Sequence, residues 1–204
     1  VSSVTTMGAI FTRTTSFNGD LSKWNVLSVA DMNSMFTSAT SFNGDISKWE
    51  VSRVKTMFSM FAGLKYFNSD ISKWDVSSVT NMYGMLWGAT AFNSDISKWD
   101  VSSVSNMHGM FMDAAAFNVD ISKWDVSNVV TMDFMFAHGQ ASSFKQKLCG
   151  AAWVRSKASK KAMFTGSFGS ISSQVCTLTT ARQYVSRRLI PERELIVRAL
   201  ITTP

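Results

Sequence analysis

Long apolar runs are missing from this chain of 204 residues: no stretch approaches the roughly 20 residues that a membrane-spanning helix needs. Proline is almost absent, with only Pro191 and Pro204, which excludes collagen-like and Pro-rich linker architectures. Two cysteines (Cys149, Cys176) and two histidines (His108, His138) are too few for the usual four-ligand Cys/His zinc site. No basic n-region followed by an apolar h-region opens the chain, which begins with Val1. A piece cut or processed from something longer is the expectation. What is present is 46% hydrophobic residues, which excludes a disordered chain, together with 13 Met and 7 Trp.

Those residues recur. Trp stands at 24, 49, 74, 99 and 124, Phe-Asn at 17–18, 42–43, 67–68, 92–93 and 117–118, and Asp at 20, 45, 70, 95 and 120. The period is 25 residues, unbroken to about Phe136. A fixed period of this length predicts a solenoid in which each unit packs mainly on its neighbours. Within a unit, Trp99 and Val101 alternate with Lys98, Asp100 and Ser102, as a short strand does. Met107, Met110, Phe111 and Ala114 follow at i, i+3, i+4 and i+7, the spacing of one helix face. The residues before the first Met are Thr6, Asp31, Thr56, Asn81, Asn106 and Thr131, all N-cap types, so a helix or helical turn of about two turns is expected from each.

The motif Phe92-Asn93-Ser94-Asp95-Ile96-Ser97-Lys98-Trp99-Asp100-Val101-Ser102, followed by Met107-x-x-Met110-Phe111, resembles the repeats of BspA-like leucine-rich-repeat surface proteins. The same repeat occurs in mycoplasma lipoproteins and in proteins of marine microalgae. The resemblance covers Val1 to about Phe136. It implies an α/β solenoid, leucine-rich-repeat-like, with 25-residue strand-plus-short-helix repeats, a parallel sheet on one side and a C-terminal cap. It also implies a cell-surface protein that binds proteins or matrix, and no catalysis.

Stacking would turn repeated residues into columns. Lys23, Lys48, Lys73, Lys98 and Lys123 would run beside Asn25, Glu50, Asp75, Asp100 and Asp125, and a solvated ionic mesh is the reading for that face. A Ser column follows from Ser52 to Ser127, with Leu27 in its first place. The asparagines from Asn18 to Asn118 are expected to hydrogen-bond turn backbone from unit to unit. The Met stripe reads as packing, not as a metal site.

Against columns that agree, differences point to a partner. After the first Met stand Gly8, Asn33, Phe58, Tyr83, His108 and Asp133; four residues later stand Thr12, Thr37, Ala62, Trp87, Met112 and Ala137. Both columns are expected to face away from the Met/Phe stripe. Phe58, Tyr83, Trp87, His108 and Met112, with Phe134 nearby, should therefore form one outer patch, and contiguous exposed aromatics mark interfaces. Scattered surface aromatics, partly tucked into grooves, are the bland alternative.

Three regions are expected: the repeat solenoid (1–136), a degenerate repeat and cap resembling that of microalgal members (137–181), and a basic, apolar tail with a short helix (182–204). Cys149 and Cys176 enclose 26 residues, and a disulfide between them would imply an oxidising compartment; two free buried thiols are the alternative. Residues 1–136 carry 9 basic and 12 acidic side chains and residues 137–204 carry 11 and 2. The basic end could meet an acidic protein or a membrane surface. Arg187, Arg188, Leu195, Ile196 and Leu200 are candidate docking residues of the tail. Val1 aligns with Val26, so the first copy is short of its strand, and a partner, a second chain or upstream repeats should cover that end. No nucleic-acid partner is expected, since no recognition motif occurs. No cofactor is expected either. No phosphate loop, nucleophile elbow or isolated acid/base pair stands out. The function that emerges is a non-catalytic protein–protein interaction or scaffold module, at a cell surface or as a peripheral, membrane-associated subunit of a larger assembly in an oxidising organelle lumen. The alternative is a carbohydrate- or matrix-binding adhesion module.

Overall fold

A computed structural model describes residues 3–139 and 142–176. The chain divides into two compact units, Val1–Gln174 and Val175–Pro204; of the second, only Val175 and Cys176 are described. The five docking residues expected in the tail lie outside the described residues.

Residues 25 apart lie side by side. Parallel bridges join Thr6 to Asp31, Asp31 to Thr56, Thr56 to Asn81, Asn81 to Asn106, Asn106 to Thr131 and Thr131 to Ser159. Coil is therefore laid on coil, and identical residues meet. Phe11 stacks on Phe36 and Phe36 on Phe61; Phe17, Phe42, Phe67, Phe92, Phe117 and Phe144 form a second file with centroids 5.9–6.4 Å apart. Trp49 lies parallel to Trp74, and Trp99 to Trp124. Val, Met, Phe and Ile from every coil make one continuous apolar core.

Polar ladders hold the files in register. Each indole N–H from Trp49 to Trp124 donates to a buried carbonyl 28 residues earlier, as from Trp99 to Ile71 at 3.0 Å. The asparagines behave as their spacing predicts: the side-chain oxygen of Asn18 accepts the N–H of Asn43, and so on through Asn68, Asn93 and Asn118 to the N–H of Lys145.

The repeat contains no α-helix in the described residues, a correction to the expected two-turn helices. Thr6, Asp31 and their equivalents are bridge residues rather than N-caps. Their side chains still accept the N–H two residues on, as Asp31 does from Asn33 and Asn81 from Tyr83. The segment that follows is a chain of tight turns. Met35 donates to Met32, Thr37 to Ser34 and Ala39 to Phe36, three residues back instead of four. Left-handed residues recur twice per coil, at Ala9 and Arg13, Ser34 and Ser38, Gly84 and Gly88. Such residues stop an α-helix from propagating. They also turn alternate peptide groups along the stack, so the N–H groups of 32, 34, 36 and 38 donate to the carbonyls of 56, 58, 60 and 62 on the next coil. The four bonds recur at every junction, while fewer run back, as from Lys55 to Ala30. The expected sheet is likewise reduced to single-residue bridges within the repeats. The only extended pair among the described residues is β1 (Lys147–Leu148) alongside β2 (Ser170–Ile171), parallel, with the short helix α1 (Ala151–Arg155) between them.

From 142 onward the coils are irregular but continue the files. Phe144 stacks on Phe117 and Phe136, Phe164 on Phe136, and the Trp153 indole donates to Ile121. Both cysteines, Cys149 and Cys176, are disulfide-bonded. No described helix is long and apolar enough to cross a membrane.

Candidate partner-binding groove

The residues that depart from the repeat are brought together. Phe58 stacks on Tyr83 with centroids 4.9 Å apart, and Tyr83 on His108 at 4.8 Å with planes 1° from parallel. Phe134 meets the far side of His108 tilted by 57° at 5.5 Å. Stacking at the coil spacing leaves Tyr83 covered on both faces. Across from this ladder, four residues on in each coil, stand Trp87 and Met112. Trp87 is 43% exposed and Phe58 36%; most large apolar side chains of the repeats are buried, with Ile10, Leu27, Tyr66 and Val130 the other exposed ones.

Between the two walls runs a groove of about 210 Å³ lined by Tyr83, Gly84, Trp87, His108, Gly109, Met112 and Phe134. All the aromatic patch residues except Phe58 line it. Its floor comes from a column in which the sequence pointed only to Phe134: Ala9, Ser34, Ser59, Gly84, Gly109 and Phe134, all left-handed, with φ between 49° and 59°. The signal lay in that alignment. Where other coils carry a side chain, Gly84 and Gly109 carry none. A Cβ built on Gly109 would meet nothing nearer than Met112, at 3.8 Å. At one end the Phe134 ring closes the groove; at the other, the position a Gly84 Cβ would take lies 3.2 Å from the Ser59 hydroxyl. A bulky residue in the left-handed region is uncommon and costly, and such strain gathers at functional positions.

The polar groups here are sparse. The indole N–H groups of Trp49, Trp74, Trp99, Trp124 and Trp153 are bonded to carbonyls, whereas that of Trp87 has no acceptor in the protein. Ser59 is nine-tenths buried and its hydroxyl has no protein partner. Asp133 follows His108 in its column; its carboxylate accepts from the Ser159 hydroxyl and the Lys161 N–H, which hold it below the usual carboxylate range.

On the strand-like face, Lys23, Lys48, Lys73 and Lys98 help to lower the pKa values of Asp20, Asp45, Asp70 and Asp95, but less than hydrogen bonds do, and no mesh of close ion pairs forms. Among the described residues no lysine of the Lys23–Lys123 row makes an ion pair with the acidic rows. The carboxylates turn instead to serines two residues on. Asp20, Asp45, Asp70 and Asp95 accept from Ser22, Ser47, Ser72 and Ser97, and Asp75 and Asp100 from Ser77 and Ser102. The serine hydroxyl first, and then its N–H, lowers the pKa of each of Asp20, Asp45, Asp70, Asp95 and Asp100. A local partner costs less conformational entropy than an exposed lysine held in one geometry. A second hollow, larger and more open, lies where Asp125 and Ser127 meet Ala151, Arg155 and Lys157. No group of three or more His, Cys, Asp or Glu residues suited to a metal ion occurs among the described residues.

A 25-residue unit stacked on itself, with Met, Phe, Trp and Asn files, defines a repeat protein. The chain belongs to the family described as "Mycoplasma protein of unknown function, DUF285", whose model matches residues 1–90 and again 59–174. No curated protein and no solved structure matches the chain.

Proposed function

We propose that the chain is a leucine-rich-repeat-like solenoid that serves as a non-catalytic interaction or scaffold module and seats a protein partner on the Phe58–Tyr83–His108 ladder and the groove beside it. One observation carries this. The coils agree almost everywhere, yet over consecutive coils they depart from the pattern together, in both walls and the floor of one groove. Exposed Trp and Tyr are the usual anchors of protein interfaces. The disulfide is compatible with an oxidising compartment, which fits a cell surface or an organelle lumen. In the double variant Tyr83→Glu, Trp87→Glu, the partner co-purifying from the native source should be released while the thermal melt is kept, since neither side chain is core. Retained partner would overturn the assignment. The exposed Trp87, with its unpaired indole N–H, also favours a second reading, a carbohydrate platform, for which glycan-array binding lost in Trp87→Ala is the sign.

A further inference from the structure

We propose that the groove is a socket for one aromatic side chain carried by a segment of the protein partner; this rests on the interaction role proposed above. The room is made by absent side chains. Ala9, Ser34 and Ser59 fill the same left-handed position in other coils, and only at Gly84 and Gly109 is the floor bare backbone. Phe134 ends the slot, so it accepts a group of limited length rather than a chain running through.

The chemistry of the walls selects a ring. Both faces of Tyr83 are taken, by Phe58 and His108, so the ladder offers the groove ring edges. Aromatic edges carry the positive end of the ring quadrupole and seek a π face. A ring lying in the slot would present its face to those edges and its other side to Trp87 and to the polarizable thioether of Met112. An aliphatic side chain would gain burial without that electrostatic match. A sugar stacks its C–H groups on exposed aromatic faces, and the ladder has none of Tyr83's to give.

The test uses the full chain and four probes: N-acetyl-tyrosinamide, N-acetyl-phenylalaninamide, N-acetyl-leucinamide and maltotriose. Each is titrated while the Met112 methyl and Trp87 indole resonances are followed by NMR. Tyrosinamide and phenylalaninamide should both shift the two resonances and bind several-fold tighter than leucinamide. The double variant Gly84→Ser, Gly109→Ser gives the floor the residue that Ser34 and Ser59 already carry at the same φ, and should weaken tyrosinamide at least tenfold. If that variant does not fold, Gly109→Ala, matching Ala9, replaces it with the same expected direction. Leucinamide binding as tightly as the aromatic amides, maltotriose shifting the two resonances while the amides do not, or silence from every probe would each overturn the socket. The two readings fail separately. If the Tyr83→Glu, Trp87→Glu variant loses the partner but the serine-floored variant keeps it and the probes are silent, the interface stands and the socket falls. If tyrosinamide binds but the charge-substituted variant keeps its partner, the interface falls, and with it the socket as a seat for that partner's side chain.

Discussion

Replacing Trp99 by Phe tests whether the indole ladder ties coil to coil. The Trp99 N–H donates to the Ile71 carbonyl at 3.0 Å, and that carbonyl also accepts the backbone N–H of Trp74 at 3.2 Å. The substitution thus removes one hydrogen bond without stranding its acceptor, a loss of about 1 kcal/mol. Trp99 is 4% exposed and packed parallel to Trp124, so the smaller phenyl ring leaves a void that costs roughly another 1–2 kcal/mol. The sum, about 2–3 kcal/mol, should shift the urea midpoint downward with the m-value unchanged. Trp24 is the internal control. It occupies the same column but is only partly buried, and its indole N–H has no acceptor in the protein. Trp24→Phe should cost less than about 1 kcal/mol. Equal losses in the two variants, within about 0.5 kcal/mol, would refute the reasoning, because ring size alone would then account for both.

Two further expectations follow from other ladders. The carboxylates of Asp20, Asp45, Asp70 and Asp95 have lower pKa values folded than unfolded, so their contribution is complete above the ordinary carboxylate range and is lost as pH falls through their folded values. Thermal stability should hold steady down to about pH 5 and decline below about pH 4; Ser97→Ala should move the Asp95 titration upward by carboxyl-carbon NMR, and an unmoved titration would show that the hydroxyl does not hold it. Denatured, unreduced protein should resist alkylation at Cys149 and Cys176, and reduction should lower stability by about 3 kcal/mol; labelling of both cysteines without reductant would refute the disulfide.

Much of the stack was legible because the period never slips. Trp49 must face Trp74 once coils superpose, and a polar residue as regular as Asn68 must serve the backbone of its neighbour. The local conformation was not legible. Met32, Met35, Phe36 and Ala39 satisfy a helix pattern, but a run of tight turns also returns every third or fourth residue to the same side. What decides between them is the left-handed backbone at Ser34 and Ser38, and serine does not announce it; only the matching glycines, such as Gly63 and Gly88, hint at it. Column logic alone paired Lys98 with the acidic rows, yet Ser97 and Ser102 were nearer along the chain and took the carboxylates. The groove was half legible. Tyr83, Trp87, His108 and Met112 declare themselves by what they add, whereas Gly84 and Gly109 matter for what they omit.

The bonds between coils have one further consequence. At each junction four peptide groups donate to the next coil and fewer donate back, so the small dipoles cancel only in part along the stack, unlike those between alternating strands. The body is therefore electrically polarised along its length, like a helix but spread over a broad cross-section. Any coil joining such an array must arrive in the same sense, because an inverted one would oppose donor to donor. The protein's architecture has a built-in arrow, and growth or docking along that axis is restricted to one orientation.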